Sequence, residues 1–191
     1  ESANYASGRR NLLYILNTHV SSLHIKRSLL FLRSLITQGE NILFVCTDRK
    51  IAPLVEYAAV KTQHHYITSK WVGGTLTNWK HVQRTIGITG LFLDRFDTFL
   101  TEQNIVFPKY AKAKKRFEGL RSHRKLPAAL FIINPEQTPA AVAEANALGI
   151  PVLACVNTGS SLKGVDYVIP VNTRSLSFFH AFFDMFVKLV K

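Results

Sequence analysis

Two indoles, a Gly-Gly pair, two threonines, an amide and two lysines fall within the eleven residues Lys70-Trp-Val-Gly-Gly-Thr-Leu-Thr-Asn-Trp-Lys80. Thr75, Thr77 and Asn78 carry groups that hydrogen-bond phosphate or sugar oxygens. Gly73 and Gly74 let the backbone approach a partner closely or turn with positive φ. Lys70 and Lys80, with Arg84 one helical turn further on, supply charge suited to a phosphate backbone. An indole either anchors a loop in the core or stacks on a base or sugar. Trp71, beside a strand end, reads as the anchor, and Trp79 reads as the interface residue. This mix suits a surface that grips a polyanion.

Other chemistries find little support. No G-x-G-x-x-G follows the early strands, and neither G-x-x-x-x-G-K-(S/T) nor G-x-S-x-G occurs. Gly159-Ser-Ser-Leu-Lys163 only loosely resembles a phosphate loop and precedes a strand. The histidines have no ligand spacing. His64 and His65 are adjacent and point to opposite faces of a strand, and all seven are expected at the surface or facing a polyanion. The carboxylates Asp48, Glu56, Asp94, Asp97, Glu136, Glu144 and Asp166 form no evident acid/base pair. Cys46 and Cys155 each sit inside an apolar run and outside any C-x-x-C pair, which fits two buried thiols in a reducing compartment and leaves a single bridge open. No catalytic residue, metal site or cofactor is expected.

Net charge points the same way as the loop. The chain of 191 residues carries 24 Lys+Arg against 12 Asp+Glu, a formal charge of +12. An imbalance of that size calls for nucleic acid or an anionic membrane surface. No apolar run has the length of a membrane span, so the membrane reading is reduced to surface binding by the last helix. Lys112, Lys114, Lys115 and Arg116 lie in a segment of almost unrelieved positive charge, which repels itself unless an anion lies alongside. Arg9 and Arg10 close a polar N-terminal arm.

Parallel-sheet rhythm positions these groups. Apolar runs at 12–16, 42–46 and 66–68 alternate with helical periods at about 22–37 and 51–61, the first capped by Ser21 or Ser22 and ended by Gly39. The rhythm resumes with strands at 129–133, 151–156 and 167–170 and helices at 137–147 and 174–190. This is a β–α–β pattern with short connections, hence a sheet covered on both faces. Residues 80–126 break it with two helical segments, about 79–100 and 109–123, and no strand signal. The expected organisation is a first α/β part over 1–79, an inserted basic helical hairpin over 80–126 and a second α/β part over 127–191. The last helix carries Phe178, Phe179, Phe182, Phe183 and Phe186, an apolar surface wide enough either to meet a partner protein or to be sandwiched in its own core.

Four ordered segments resemble one family. Lys70–Lys80 is similar to the R-W-(L/I/V)-G-G-x-L-T-N signature of the small-subunit ribosomal protein S2 family. Ile42-Leu-Phe-Val-Cys-Thr47 resembles its I-L-F-V-G-T. Leu126-Pro-Ala-Ala-Leu-Phe-Ile-Ile-Asn-Pro135 resembles L-P-D-A-L-F-V-I-D-P. Leu148-Gly-Ile-Pro-Val152 with Gly164-Val-Asp-Tyr-Val-Ile-Pro170 resembles L-G-I-P-V followed by G-V-D-Y-V-I-P. The resemblance covers roughly residues 9–190. It implies a three-layer α/β/α flavodoxin-like parallel sheet with an inserted helical hairpin, and a structural, non-catalytic role binding small-subunit rRNA beside neighbouring ribosomal proteins. The usual D-T-N-x-D-P-D-G loop is here Asn157-Thr-Gly-Ser-Ser-Leu-Lys-Gly164, and P-G-N-D-D is Pro170-Val-Asn-Thr-Arg174. Both changes lose acid, which weakens any metal or small-ligand role and favours RNA. Phenylalanine enrichment and the worn pattern imply an organellar form, mitochondrial in preference to plastid. Glu1 is not an initiator, so any targeting segment is expected outside this sequence. The rival reading is a free α/β nucleotide-binding domain or enzyme.

Overall fold

Continuous apolar runs without alternation make strands buried on both faces, and the computed structural model realises four of them as neighbours. It describes residues 5–11, 13–88, 90, 117–121 and 125–190. A hairpin comes first, β1 (Ala6–Arg10) and β2 (Leu13–Leu16), followed by α1 (Thr18–Thr37). Next are β3 (Ile42–Val45), α2 (Ala52–Lys61) and β4 (His65–Ile67). A helix α3 begins at residue 79 and is described to 88. The second part comprises β5 (Ala129–Ile133), α4 (Pro139–Ala147), β6 (Val152–Val156), β7 (Tyr167–Pro170) and α5 (Leu176–Val190).

The main sheet has the order β4-β3-β5-β6-β7, with every neighbouring pair parallel. Relabelled from its own first strand this is 2-1-3-4-5, the flavodoxin-like order. Strand alternation divides the core in two. Ile42, Phe44, Cys46, Phe131, Ile133, Leu153 and Cys155 face α1, α2 and α5. Leu43, Val45, Leu130, Ile132, Val152, Ala154 and Val156 face α4, α3 and the tryptophan loop. The three layers are the expected ones.

Two expectations change at the N-terminus. The run 12–16 is no strand of the main sheet: β2 pairs antiparallel with β1, with Arg9 opposite Tyr14 and Arg10 opposite Leu13. Asn11 turns the hairpin at φ 47. The polar arm is therefore paired backbone, and the Arg9 guanidinium lies 5.6 Å from the Tyr14 ring centroid. Helix α1 also starts earlier than expected. Asn17, not Ser21 or Ser22, is its cap, and its Oδ1 accepts from the backbone N–H of His19 at 3.1 Å and Val20 at 3.3 Å.

The phenylalanine-rich helix resolves towards the core. Phe179, Phe182, Phe183 and Phe186 are spaced to form one inward stripe and are all buried. Phe186 meets Phe44 edge-on at 5.2 Å, and Phe182 stacks on Phe131 at 5.3 Å. Of its other apolar residues Leu176 and Met185 are exposed, and Phe178, Val187, Leu189 and Val190 are partly buried. No described helix is long and apolar enough to cross a membrane.

Candidate nucleic-acid interface

The loop from Lys70 to Lys80 runs from the end of β4 to the start of α3. Trp71 and Trp79 are each 7% exposed and belong to the same buried cluster as Leu76 and Ile86. The indole of Trp79 sits 6.0 Å from the His65 ring. Trp79 is therefore a second core anchor and not the exposed stacking platform expected of it, because the first turn of α3 directs it back onto the sheet. Thr75 is likewise buried, and its Oγ1 donates to the Val72 carbonyl at 2.6 Å. That hydroxyl is committed to the turn and not to an outside oxygen.

One carboxylate organises the loop. Glu144, on α4, takes hydrogen bonds from Trp71 Nε1 at 3.0 Å and Gly74 N–H at 2.8 Å through Oε1. Through Oε2 it takes them from Leu76 N–H at 2.8 Å and Thr77 N–H at 3.3 Å. Converging backbone N–H groups of this kind form an anion-binding concavity. Here the chain supplies its own anion, so those N–H groups face inward. Gly74 has φ 85, the conformation the turn requires. Glu144 lacks any motif, but it is the single charge in Pro139-Ala-Ala-Val-Ala-Glu-Ala-Asn-Ala147 and lies beside the buried Ala141 and Ala145. A lone carboxylate against an apolar helix face was the available signal.

With its inner side fixed, the loop presents Lys70, Gly73, Thr77, Asn78 and Lys80 outward. Lys80 and Arg84 are four residues apart on α3, hence on one face, and both are exposed. Asn78 starts the helix, its carbonyl accepting from Val82 N–H at 3.1 Å. Arg9 and Arg10 are exposed on the separate β1–β2 hairpin. Lys112, Lys114, Lys115 and Arg116 lie outside the described residues. On the return side of the 80–126 segment a 3-10 turn, Glu118–Leu120, packs on β4. Arg121 reaches Gly90: a Cβ built there would lie 3.2 Å from the guanidinium Nη2. Residues 90 and 121 are thus close in space.

His64 and His65 point to opposite faces, as strand geometry requires, yet neither is at the surface. His64 is 8% exposed and packs 5.9 Å from the Phe186 ring, while His65 is fully buried.

Parallel α/β sheets place ligands where the strand order reverses, here between the carboxyl ends of β3 and β5. Thr47 Oγ1 donates to Gln137 Oε1 across that crevice at 2.6 Å. Asp48 Oδ1 accepts from Lys50 N–H at 2.8 Å. The chain's own side chains thus bridge the usual nucleotide crevice. The two thiols are unbridged and buried. Burial pushes Cys46 up from 9.0 to about 12, and it raises Cys155 as well.

A family model described as Ribosomal protein S2 matches residues 1–191. The chain is 33% identical over 195 residues to "Small ribosomal subunit protein uS2m" of Marchantia polymorpha, covering 97% of this chain and 81% of that relative. It is 35% identical over 170 residues to "Small ribosomal subunit protein uS2" of Ruegeria pomeroyi, covering 86% of this chain and 66% of the relative. With the uS2 of Chlamydia caviae it shares 31% over 181 residues, 90% of this chain and 64% of the relative. The chain spans about two thirds of the length of these bacterial relatives. A 2-1-3-4-5 parallel sheet, the clamped tryptophan loop and a family match from end to end lead to one assignment: the chain belongs to the ribosomal protein S2 family.

Proposed function

We propose that this chain is a structural constituent of the small ribosomal subunit in an organelle, the mitochondrion, and holds rRNA through phosphate contacts without catalysing a reaction. The observation that carries the reading is the exposed set Lys70, on a loop whose inner side is fixed to the core, and Lys80 and Arg84, on the helix α3 that follows it. A charge of +12 supports it, since phosphate contacts dominate RNA affinity and position the protein. Arg9 and Arg10 add a second basic point on the hairpin. Lys112, Lys114, Lys115 and Arg116 would extend the contact along the 80–126 hairpin. Gly73 and Asn78 allow close approach of the backbone, with recognition by RNA shape and little base readout. The uS2m relative favours the mitochondrial form over plastid. Neighbouring small-subunit proteins complete the surroundings.

Sedimentation of the native protein with and without ribonuclease tests this. Co-migration with a large ribonucleoprotein, lost on ribonuclease treatment, is the expected result. A free monomer that binds a nucleotide would instead support an α/β enzyme or nucleotide-binding domain. Replacing Lys112, Lys114, Lys115 and Arg116 together with Ala should lower occupancy in purified subunits, and unchanged occupancy would remove the hairpin from the interface.

A further inference from the structure

The geometry assigns to Glu144 the role of positioning residue for the RNA-facing loop: an internal carboxylate that fills the nest made by the Trp71 indole N–H and the backbone N–H groups of Gly74, Leu76 and Thr77, and thereby aims Lys70 and Lys80. The inference rests on the rRNA-binding reading for its consequence, though not for the clamp itself.

Four donors from one short segment converge on the two oxygens of Glu144, two on each. A neutral side chain of the same shape cannot replace it. In glutamine one oxygen becomes an NH2 donor, which faces N–H groups that are themselves donors. The charge matters as well as the shape, because hydrogen bonds to an ionised acceptor are about twice as strong as neutral ones. The clamp joins the loop to α4, more than sixty-five residues further along the chain, so it ties the first α/β part to the second. Lys70 immediately precedes the clamped segment, and Lys80 follows its last anchor, Trp79.

A clamp and a simple charge make opposite predictions. Glu144 is an acid beside a basic surface, so on Coulomb grounds its removal should tighten RNA binding. If it positions the lysines, its removal should weaken binding despite the added positive charge.

The full chain is compared as wild type, Glu144→Gln and Glu144→Asp. Amide hydrogen exchange is followed at Gly74, Leu76 and Thr77, with Ile132 and Ala154 as internal reporters of the sheet. Affinity is measured for a transcript of the small-subunit rRNA at fixed salt. Glu144→Gln should speed exchange at the three loop amides by about tenfold or more, the loss of charge-assisted bonds, with Ile132 and Ala154 unchanged. Its RNA affinity should fall several-fold. Glu144→Asp, which keeps the charge on a shorter arm, should recover part of both. Unchanged loop exchange in Glu144→Gln, acceleration spread equally over the sheet, or tighter RNA binding would each overturn the assignment. If the wild-type chain does not bind the transcript, the rRNA reading fails, and the exchange measurement still decides the clamp.

Discussion

Trp71 Nε1 donates to Glu144 Oε1 at 3.0 Å across 73 positions of sequence. The indole is thereby both packed and tethered, which separates two contributions to stability. Trp71→Phe keeps most of the packing and removes the bond to a charged acceptor, at a cost of about 1.5–3 kcal/mol. Trp71→Ala also empties the site and should cost about 3–5 kcal/mol. Urea midpoints of the two variants measure the difference.

Trp79 should behave as a core residue. Its 7% exposure equals that of Trp71. Trp79→Ala is therefore expected to lower stability by about 3–5 kcal/mol, where an interface residue would change assembly and leave the unfolding midpoint alone. Thermal or urea unfolding of the free chain decides between them.

Replacing Lys70, Lys80 and Arg84 singly with Ala should weaken RNA binding evenly across sequences. Each loss should lower the slope of log affinity against log salt by about 1. Because all three are exposed, unfolding free energies should stay within about 0.5 kcal/mol of wild type. A salt titration of the triple variant gives the sum.

Alkaline stability should follow the buried thiols. Desolvation is the largest cause of the Cys46 rise to about 12, with the backbone bond to Asp48 lowering it and the Asp48 and Glu56 carboxylates raising it. The unfolded thiol loses its proton near 9.0 while the folded one keeps it. The folded state therefore holds more protons between those values, and stability falls as pH rises through that window. Below it the stability is fully present. Melting temperatures from pH 8 to 11 should decline, and less steeply in Cys46→Ala. In the native chain at pH 8 neither thiol should react with iodoacetamide, and both should react once urea unfolds it.

Gly119 has no room for a side chain. A Cβ placed there would run into the carbonyl oxygen and ring of Tyr66. Gly119→Ala must push the 3-10 turn off β4 and should cost about 1–3 kcal/mol. Circular dichroism melts would record it, and a neutral result would show that the returning chain packs elsewhere.

The sheet was legible because Ile42–Val45, Ala129–Ile133 and Val152–Val156 are apolar at every position, and only burial on both faces explains such runs. The β1–β2 hairpin was not. The 12–16 run reads like the others, but Tyr14 and Ile15 are half exposed, and composition does not say which partner a strand pairs with. The tryptophan loop announced a special surface without revealing its inner side. Residue types and position assigned Trp71 to the core and Trp79 to the interface, whereas the structure buries both. Glu144 escaped because its partners lie 67 to 73 positions away, beyond any local pattern. Its isolation among alanines was the one trace it left.

β3 pairs with β4 across a single helix, but its other edge pairs with β5, Ile42 opposite Ala129. Every residue from 68 to 128 must leave the ribosome that makes the chain before that edge finds its partner. At typical synthesis rates the wait is on the order of several seconds. During it the nascent chain carries an unpaired strand of Ile-Leu-Phe-Val, a sequence inclined to pair with whatever edge it meets. The most basic stretch emerges within the same interval. A protein whose sheet closes late, while its charged segment is already free, is suited to meeting RNA before its own fold is finished.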